Sequence, residues 1–244
     1  MGSRRDRASN RQQRRSERRR DDQNLLDQAM MSPRPARRSE KEVVPLTEAQ
    51  SVYDHSISTN ILTISHGPWG TGKTWWAAMR AAKALQAREV ERIIITRPAQ
   101  NADEELGFLP GELNEKYEPY FRPVRDALVE FLGAGPLEYH LKSGTIEARP
   151  LGLLRGATFK DAFVMLDEAQ NATPNQMKLF LSRIGENCKV VIDGDLNQKD
   201  IPGPSGLEDI LRRLDGKPDV GVVEFEVEDI VRSGFSRMIA YAYL

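Results

Sequence analysis

Apolar residues along this chain fall into two periods. Short, nearly continuous apolar runs rich in β-branched residues occur at 61–65, 92–96, 162–166, 188–192 and 220–225. Runs of that length and composition predict strands buried on both faces, as in a parallel sheet. Between them, apolar positions recur every three or four residues, which lines up one face of a helix. This spacing predicts helices over about 72–87, around Met177, Phe180, Leu181 and Ile184, around Leu207, Ile210, Leu211 and Leu214, and over 227–243. Thr173 followed by Pro174 reads as an N-cap with proline at the first helical position, and Ser205 with Glu208 as a capping box. Leu113, Tyr117, Phe121, Val124, Leu128 and Phe131 mark another helical stripe, which Pro119 and Pro123 are expected to bend or split. A short helix at 48–56 and an extended segment at 145–149 complete the pattern. Strands alternating with helices predict an α/β fold, a mostly parallel sheet flanked by helices.

One glycine-rich turn changes this from a fold prediction to a chemical one. Gly67-Pro68-Trp69-Gly70-Thr71-Gly72-Lys73-Thr74 fits G-x-x-x-x-G-K-[ST], and it sits between the first predicted strand and the first long helix. Glycines there let backbone N–H groups converge on phosphate oxygens at a helix N-terminus. Lys73 supplies a cation for the outer phosphates, and Thr74 a hydroxyl for Mg²⁺. The strand at 162–166 runs into Asp167-Glu168. Asp167 is placed to hold Mg²⁺, and Glu168 to orient and deprotonate an attacking water. The strand at 188–192 runs into Asp193-Gly194-Asp195-Leu196-Asn197-Gln198, where Gln198 can meet the γ-phosphate or that water. Without the loop, both acidic turns would read as solvated connections.

Charge divides the chain. Residues 1–42 carry 13 basic and 7 acidic side chains, a net +6 within a chain whose total is −1. They include Arg14-Arg15 and Arg18-Arg19-Arg20 and few apolar residues, so this segment is expected to be disordered, with 43–244 as one folded domain. The arginine-rich segment is either a solvated extension or a nonspecific attractor for nucleic-acid phosphates. The single cysteine, Cys188, excludes an internal disulfide and fits a reducing compartment. No run of 18 apolar residues and no apolar signal segment is present, so no membrane partner is expected and the cytoplasm is the expected location.

The motifs, taken in order, resemble the PhoH-like proteins. They are the loop at 67–74, Thr96-Arg97-Pro98-Ala99, Leu106-Gly107-Phe108-Leu109-Pro110-Gly111, Leu154-Arg155-Gly156, Leu166-Asp167-Glu168-Ala169-Gln170, Gly194-Asp195-Leu196-Asn197-Gln198 and Glu228-Asp229-Ile230-Val231-Arg232. The match runs from about 45 to 244. That family resembles the ATPase core of superfamily-one helicases. The resemblance implies a RecA-like P-loop NTPase, with the five core strands in the order 5-1-4-3-2. It implies ATP and Mg²⁺ as ligands, RNA or DNA as a partner, and a hexameric ring of identical chains in the cytoplasm of a bacterium or of a phage-infected host. It places Gln50, with Tyr53 nearby, as an adenine-reading amide, Gln170 as a coupler to the next motif, and Gln198 as a γ-phosphate sensor. Arg97 falls in a stretch that contacts nucleic acid in the helicases, or else makes a structural ion pair.

Two features depart from the family pattern. Trp69 stands where a small residue is usual, and Trp75-Trp76 is bulky directly after Thr74. The extra nuclease or RNA-binding domain of some members is not expected here. A single ATPase core also lacks a second-domain arginine, so a neighbour in the ring is expected to supply one. Arg232 is the first candidate, ahead of Arg237, Arg122 and Arg125. Two other functions compete with a nucleic-acid-linked ATPase. One is a P-loop kinase for a small acceptor, with 98–144 as a lid. The other is a nucleotide-gated assembly module without unwinding.

Overall fold

The computed structural model describes residues 43–98, 113–154, 156 and 158–243. The arginine-rich segment, the Leu106–Gly111 motif and Arg155 lie outside the described residues.

Six strands form one sheet: β1 (Leu62–His66), β2 (Arg92–Arg97), β3 (Ile146–Pro150), β4 (Ala162–Leu166), β5 (Lys189–Gly194) and β6 (Val220–Glu224). Their order across the sheet is β3-β2-β4-β5-β1-β6, and every neighbouring pair is parallel. The five strands expected to form the core take the expected order. The segment at 145–149 becomes β3 and adds a sixth strand at the edge beside β2.

Side chains alternate across the sheet. Leu62, Ile64, Ile94, Val164, Leu166, Val190 and Ile192 share one cluster with Met177, Phe180, Leu207 and Ile210. Those last four lie on α5 (Pro174–Leu181) and α6 (Gly206–Leu214), which cover that face. The other face is covered by α1 (Glu48–Thr59), α2 (Lys73–Gln86) and α3 (Leu113–Leu132), with α4 (Ala134–Ser143) packed on α3 and β3. Burying each large apolar side chain contributes about 1.5–3 kcal/mol, so this two-sided core fixes the strand ends on which the site is built. Thr173 caps its helix as expected and makes a reciprocal box with Gln176; Ser205 is also an N-cap, but its hydroxyl accepts from the Leu207 N–H at 3.1 Å rather than closing a box with Glu208.

Two expectations are corrected. The helix at 113–132 is not split at either proline. Pro123 lies on its exposed side, where solvent can reach the carbonyl that proline leaves without an N–H partner. The last helix does not begin at Val227. A 3-10 turn at Val227–Asp229 is followed by non-helical backbone with a bend at Arg232, and α7 begins only at Gly234 (Gly234–Tyr243). The Asp229 carboxylate accepts from the Glu226 N–H, which closes the turn, and the Ser233 hydroxyl accepts from the Ser236 N–H, which starts the new helix. No described helix is long and apolar enough to cross a membrane.

Candidate functional site

The chemistry-bearing residues collect at the carboxyl ends of β1, β4 and β5, adjacent strands in the sheet. Open α/β sheets bind ligands at that edge. The loop at 67–72 leaves β1 and enters α2. All three of its glycines, Gly67, Gly70 and Gly72, have positive φ. Gly72 is the N-cap of α2 in the left-handed region, with φ of 90°. Gly67 has φ of 135°, and a Cβ there would run into the Phe225 backbone. Lys73 curls back over the loop, and its ammonium donates to Gly67 O and Pro68 O, each at 2.8 Å, and to Thr71 Oγ1 at 3.2 Å. Burial lowers its pKa, while Asp193, Asp195, Asp167 and Glu168 act the other way. A cation ringed by acids and aimed into a glycine turn has the chemistry to meet phosphate.

At the end of β4, Asp167 is 8% exposed, and the Thr74 hydroxyl donates to its Oδ1 at 3.1 Å. Burial and the neighbouring Glu168 raise the Asp167 pKa, against Arg97 and the Thr74 bond. A hydroxyl beside a carboxylate is the hard-oxygen set that Mg²⁺ uses when water and phosphate complete its shell. Among the described residues, no group of three or more His, Cys, Asp or Glu could hold a metal without such help.

Glu168 turns the chain out of β4 at a positive φ of 54°. Both of its oxygens are held. Arg97 pairs with Oε1 at 2.8 Å, and Gln170 donates to Oε2 at 2.6 Å. Gln170 is fully buried, and its Oε1 accepts from the Asp195 N–H at 3.0 Å. One amide thus ties the carboxylate after β4 to the turn after β5. Gln198 is exposed, and its side chain donates to Asp195 Oδ2 at 2.6 Å rather than bonding the loop. Arg97 therefore makes an ion pair inside the site.

Gln50 is 2% exposed and reaches the loop from α1. Its Nε2 donates to Thr71 O at 2.9 Å, and its Oε1 accepts from the Leu46 N–H at 2.8 Å. Bracing the loop uses one donor and one acceptor position, leaving one N–H and one lone pair. Arg232 comes from the bend before α7 and lies against Gly70 of the same chain.

One cluster went unread in the sequence. Ser65 and Asp193 are opposite one another on β1 and β5. The Ser65 hydroxyl donates to Asp193 Oδ1 at 2.6 Å, and the Tyr53 hydroxyl to the same oxygen at 2.5 Å. All three side chains are buried, and Tyr53 stands edge-on to Phe225. Burial raises the Asp193 pKa to about 7, although both hydroxyls favour the carboxylate. The only sequence signal was a polar residue near the end of each of two apolar runs. Their meeting depends on strand register.

A parallel α/β sheet with this loop after β1 and an acidic pair after the third core strand defines a P-loop NTPase fold. The chain belongs to the PhoH-like protein family, whose profile matches residues 42–244. It is 47% identical over 210 residues to Protein PhoH of Escherichia coli K12, covering 84% of this chain and 59% of that protein. It is 44% identical over 205 residues to the PhoH-like protein of Bacillus subtilis 168, covering 83% and 64%. The chain thus spans about three fifths of the length of these relatives. A structural likeness to Pif1 helicase from Candida albicans has a TM-score of 0.41 at 12% identity, over 82% of this chain and 44% of that one. A likeness that weak carries no argument about function.

Proposed function

We propose that this chain is a Mg²⁺-dependent ATPase working in nucleic-acid metabolism, with RNA the first substrate to test and a homo-oligomeric ring as the working form. The observation that carries it is the meeting of three groups at one sheet edge: Lys73 over its glycine loop, the Thr74–Asp167 oxygen pair, and Glu168 clamped between Arg97 and Gln170.

In this reading the backbone N–H groups of 67–74 and the Lys73 ammonium hold the β- and γ-phosphates. Thr74 and Asp167 hold Mg²⁺, which when bound offsets phosphate charge. Arg97 and Gln170 fix the Glu168 carboxylate, leaving lone pairs to orient a water and accept its proton during in-line attack on the γ-phosphorus. Gln198, on the turn that Gln170 also touches, senses the γ-phosphate. Gln50 reads adenine with the half of its amide not spent on Leu46 and Thr71. Asp-Glu geometry of this kind favours water as the acceptor over a small molecule, which sets hydrolysis above the kinase alternative. In a hexameric ring, Arg122 or Arg125 would come from the adjacent chain, since Arg237 bonds the Ile230 carbonyl of its own chain.

Phosphate release from MgATP, with and without RNA and DNA, tests this. The expected result is turnover by the wild type, stimulated by nucleic acid, and loss of turnover in Lys73→Ala and Glu168→Gln. Undiminished turnover in both variants would falsify the assignment. A rate unmoved by any nucleic acid would remove that partner, and a monomeric mass under turnover conditions would remove the ring.

A further inference from the structure

The bulky Trp69 and the displaced start of α7 belong to one arrangement. β6 pairs with β1 up to His66 and Glu224, and the Phe225 N–H then donates to His66 O at 2.8 Å. From there the two chains run on together, one as the glycine loop and the other as the segment leading to α7. Trp69, half-buried at the top of the loop, packs against a small cluster of Val227, Ile230 and Ala240. Ile230 is fully buried, and Arg237 of α7 donates to its carbonyl at 2.8 Å, which pins the turn. The next residue, Val231, donates its N–H to Gly70 O at 3.1 Å. Arg232 then lies across Gly70. A Cβ built on that glycine would stand 3.1 Å from Arg232 Cδ, 3.3 Å from Cγ and 3.4 Å from Nε. Had the helix begun at Val227, as the sequence pattern suggests, the Val231 N–H would be turned into the helix and could not bond Gly70 O.

We propose that Arg232 is a phosphate-positioning residue for the nucleotide site of its own chain, held there by a latch between Trp69 and the Val227–Ile230–Ala240 cluster. This rests on the loop being the nucleotide's phosphate site. It assigns Arg232 to the site in cis, where the sequence suggested a finger reaching into a neighbour. The stem of Arg232 covers the loop, and its exposed end adds a permanent cation beside the one Lys73 supplies. Trp69 serves as the anchor that a small residue at that position could not provide, since it alone of the loop joins the cluster.

Three variants separate charge from packing. Arg232→Met keeps an apolar stem, Arg232→Lys keeps a charge, and Trp69→Ala loosens the latch. Direct binding of fluorescent ATP and ADP and phosphate release are read on the full chain, with thermal melts to show folding. Arg232→Met is expected to weaken ATP binding or turnover about 10- to 100-fold, the range of one lost charge-assisted bond, with Arg232→Lys recovering part of it. Trp69→Ala is expected to lose activity in the same direction, and to add little on top of Arg232→Met. Equal binding and turnover in wild type and Arg232→Met would overturn the proposal.

Co-expression of Arg232→Met with Glu168→Gln decides cis against trans. A cis residue gives no rescue, because each chain's site remains defective. Recovered turnover would mean the arginine serves a neighbour, which contradicts the proposal. Wild-type protein that neither binds ATP through Lys73 nor releases phosphate would instead overturn the ATPase reading on which this one stands.

Discussion

The strand ends of β4 and β5 each present an aspartate to the same corner, yet the two corners are built differently. After β4, the acids meet charge and ligand-like partners: Thr74 on Asp167, Arg97 and Gln170 on Glu168. At the end of β5, Asp193 is 2% exposed; its hydrogen bonds come from the Tyr53 and Ser65 hydroxyls, with the Lys73 ammonium acting on it through space. Arg97 holds the Glu168 carboxylate in an ion pair, whereas burial pushes Asp193 up to about 7 despite the two hydroxyls that favour its carboxylate. Under the proposed function this is a division of labour: the β4 end is assigned the chemistry, and the Asp193 pocket is the floor that joins α1, β1 and β5 through the Tyr53 and Ser65 hydroxyls.

The sharpest way to break that comparison is Glu168→Gln. Removing a general base at the β4 end is expected to lower turnover about 10²- to 10⁴-fold while ATP binding survives, checked by phosphate release beside nucleotide titration. Next in size is Gln170→Ala, which frees one side of Glu168 and unties it from Asp195. Turnover should fall roughly 10- to 100-fold through lost orientation, with ATP affinity little changed. A parallel loss of affinity would mean Gln170 holds the fold rather than the base.

On the β5 side the effects should appear in stability. Tyr53→Phe removes a donor from a buried carboxyl and is expected to cost about 1–3 kcal/mol in urea unfolding. Asp193→Asn is the subtlest. The folded chain keeps the Asp193 proton up to about pH 7, while the unfolded chain releases it near the ordinary 3.8. In that window the folded state binds more protons, so the contribution of Asp193 to stability falls as pH rises and levels off above about 7. Asn removes the titration, so the variant's stability should decline less than the wild type's between pH 4 and 7 in paired unfolding curves. Parallel pH profiles would show that the pocket does not hold the proton.

Much of this was legible because strong local patterns agreed with the global fold. Buried β-branched runs gave the strands, and the glycine loop gave the first strand–helix unit with its Lys73 and Thr74. The placement of Asp167 and Glu168 followed from an apolar run that ends in two acids. What stayed hidden depends on register or on distant packing. The Tyr53–Asp193–Ser65 cluster joins three elements and exists only because Ser65 and Asp193 align across β1 and β5. The apolar spacing from Val227 onward suited a helix, but the segment instead forms a 3-10 turn and irregular backbone that packs on Trp69 and bonds Gly70. Gln50 was read as an adenine contact, and its bonds to Leu46 and Thr71 add a bracing role that no local pattern announces.

The central claim is that Glu168, just after β4, is needed for ATP turnover and that Asp193, at the end of β5, is not. Phosphate release by Glu168→Gln and Asp193→Asn, measured side by side at pH 8 on protein shown to be folded, tests it most directly. The account predicts a loss of at least about 100-fold for Glu168→Gln. For Asp193→Asn it predicts a change within about fivefold, under roughly 1 kcal/mol of barrier. Comparable losses in both, or a larger one in Asp193→Asn, would contradict it.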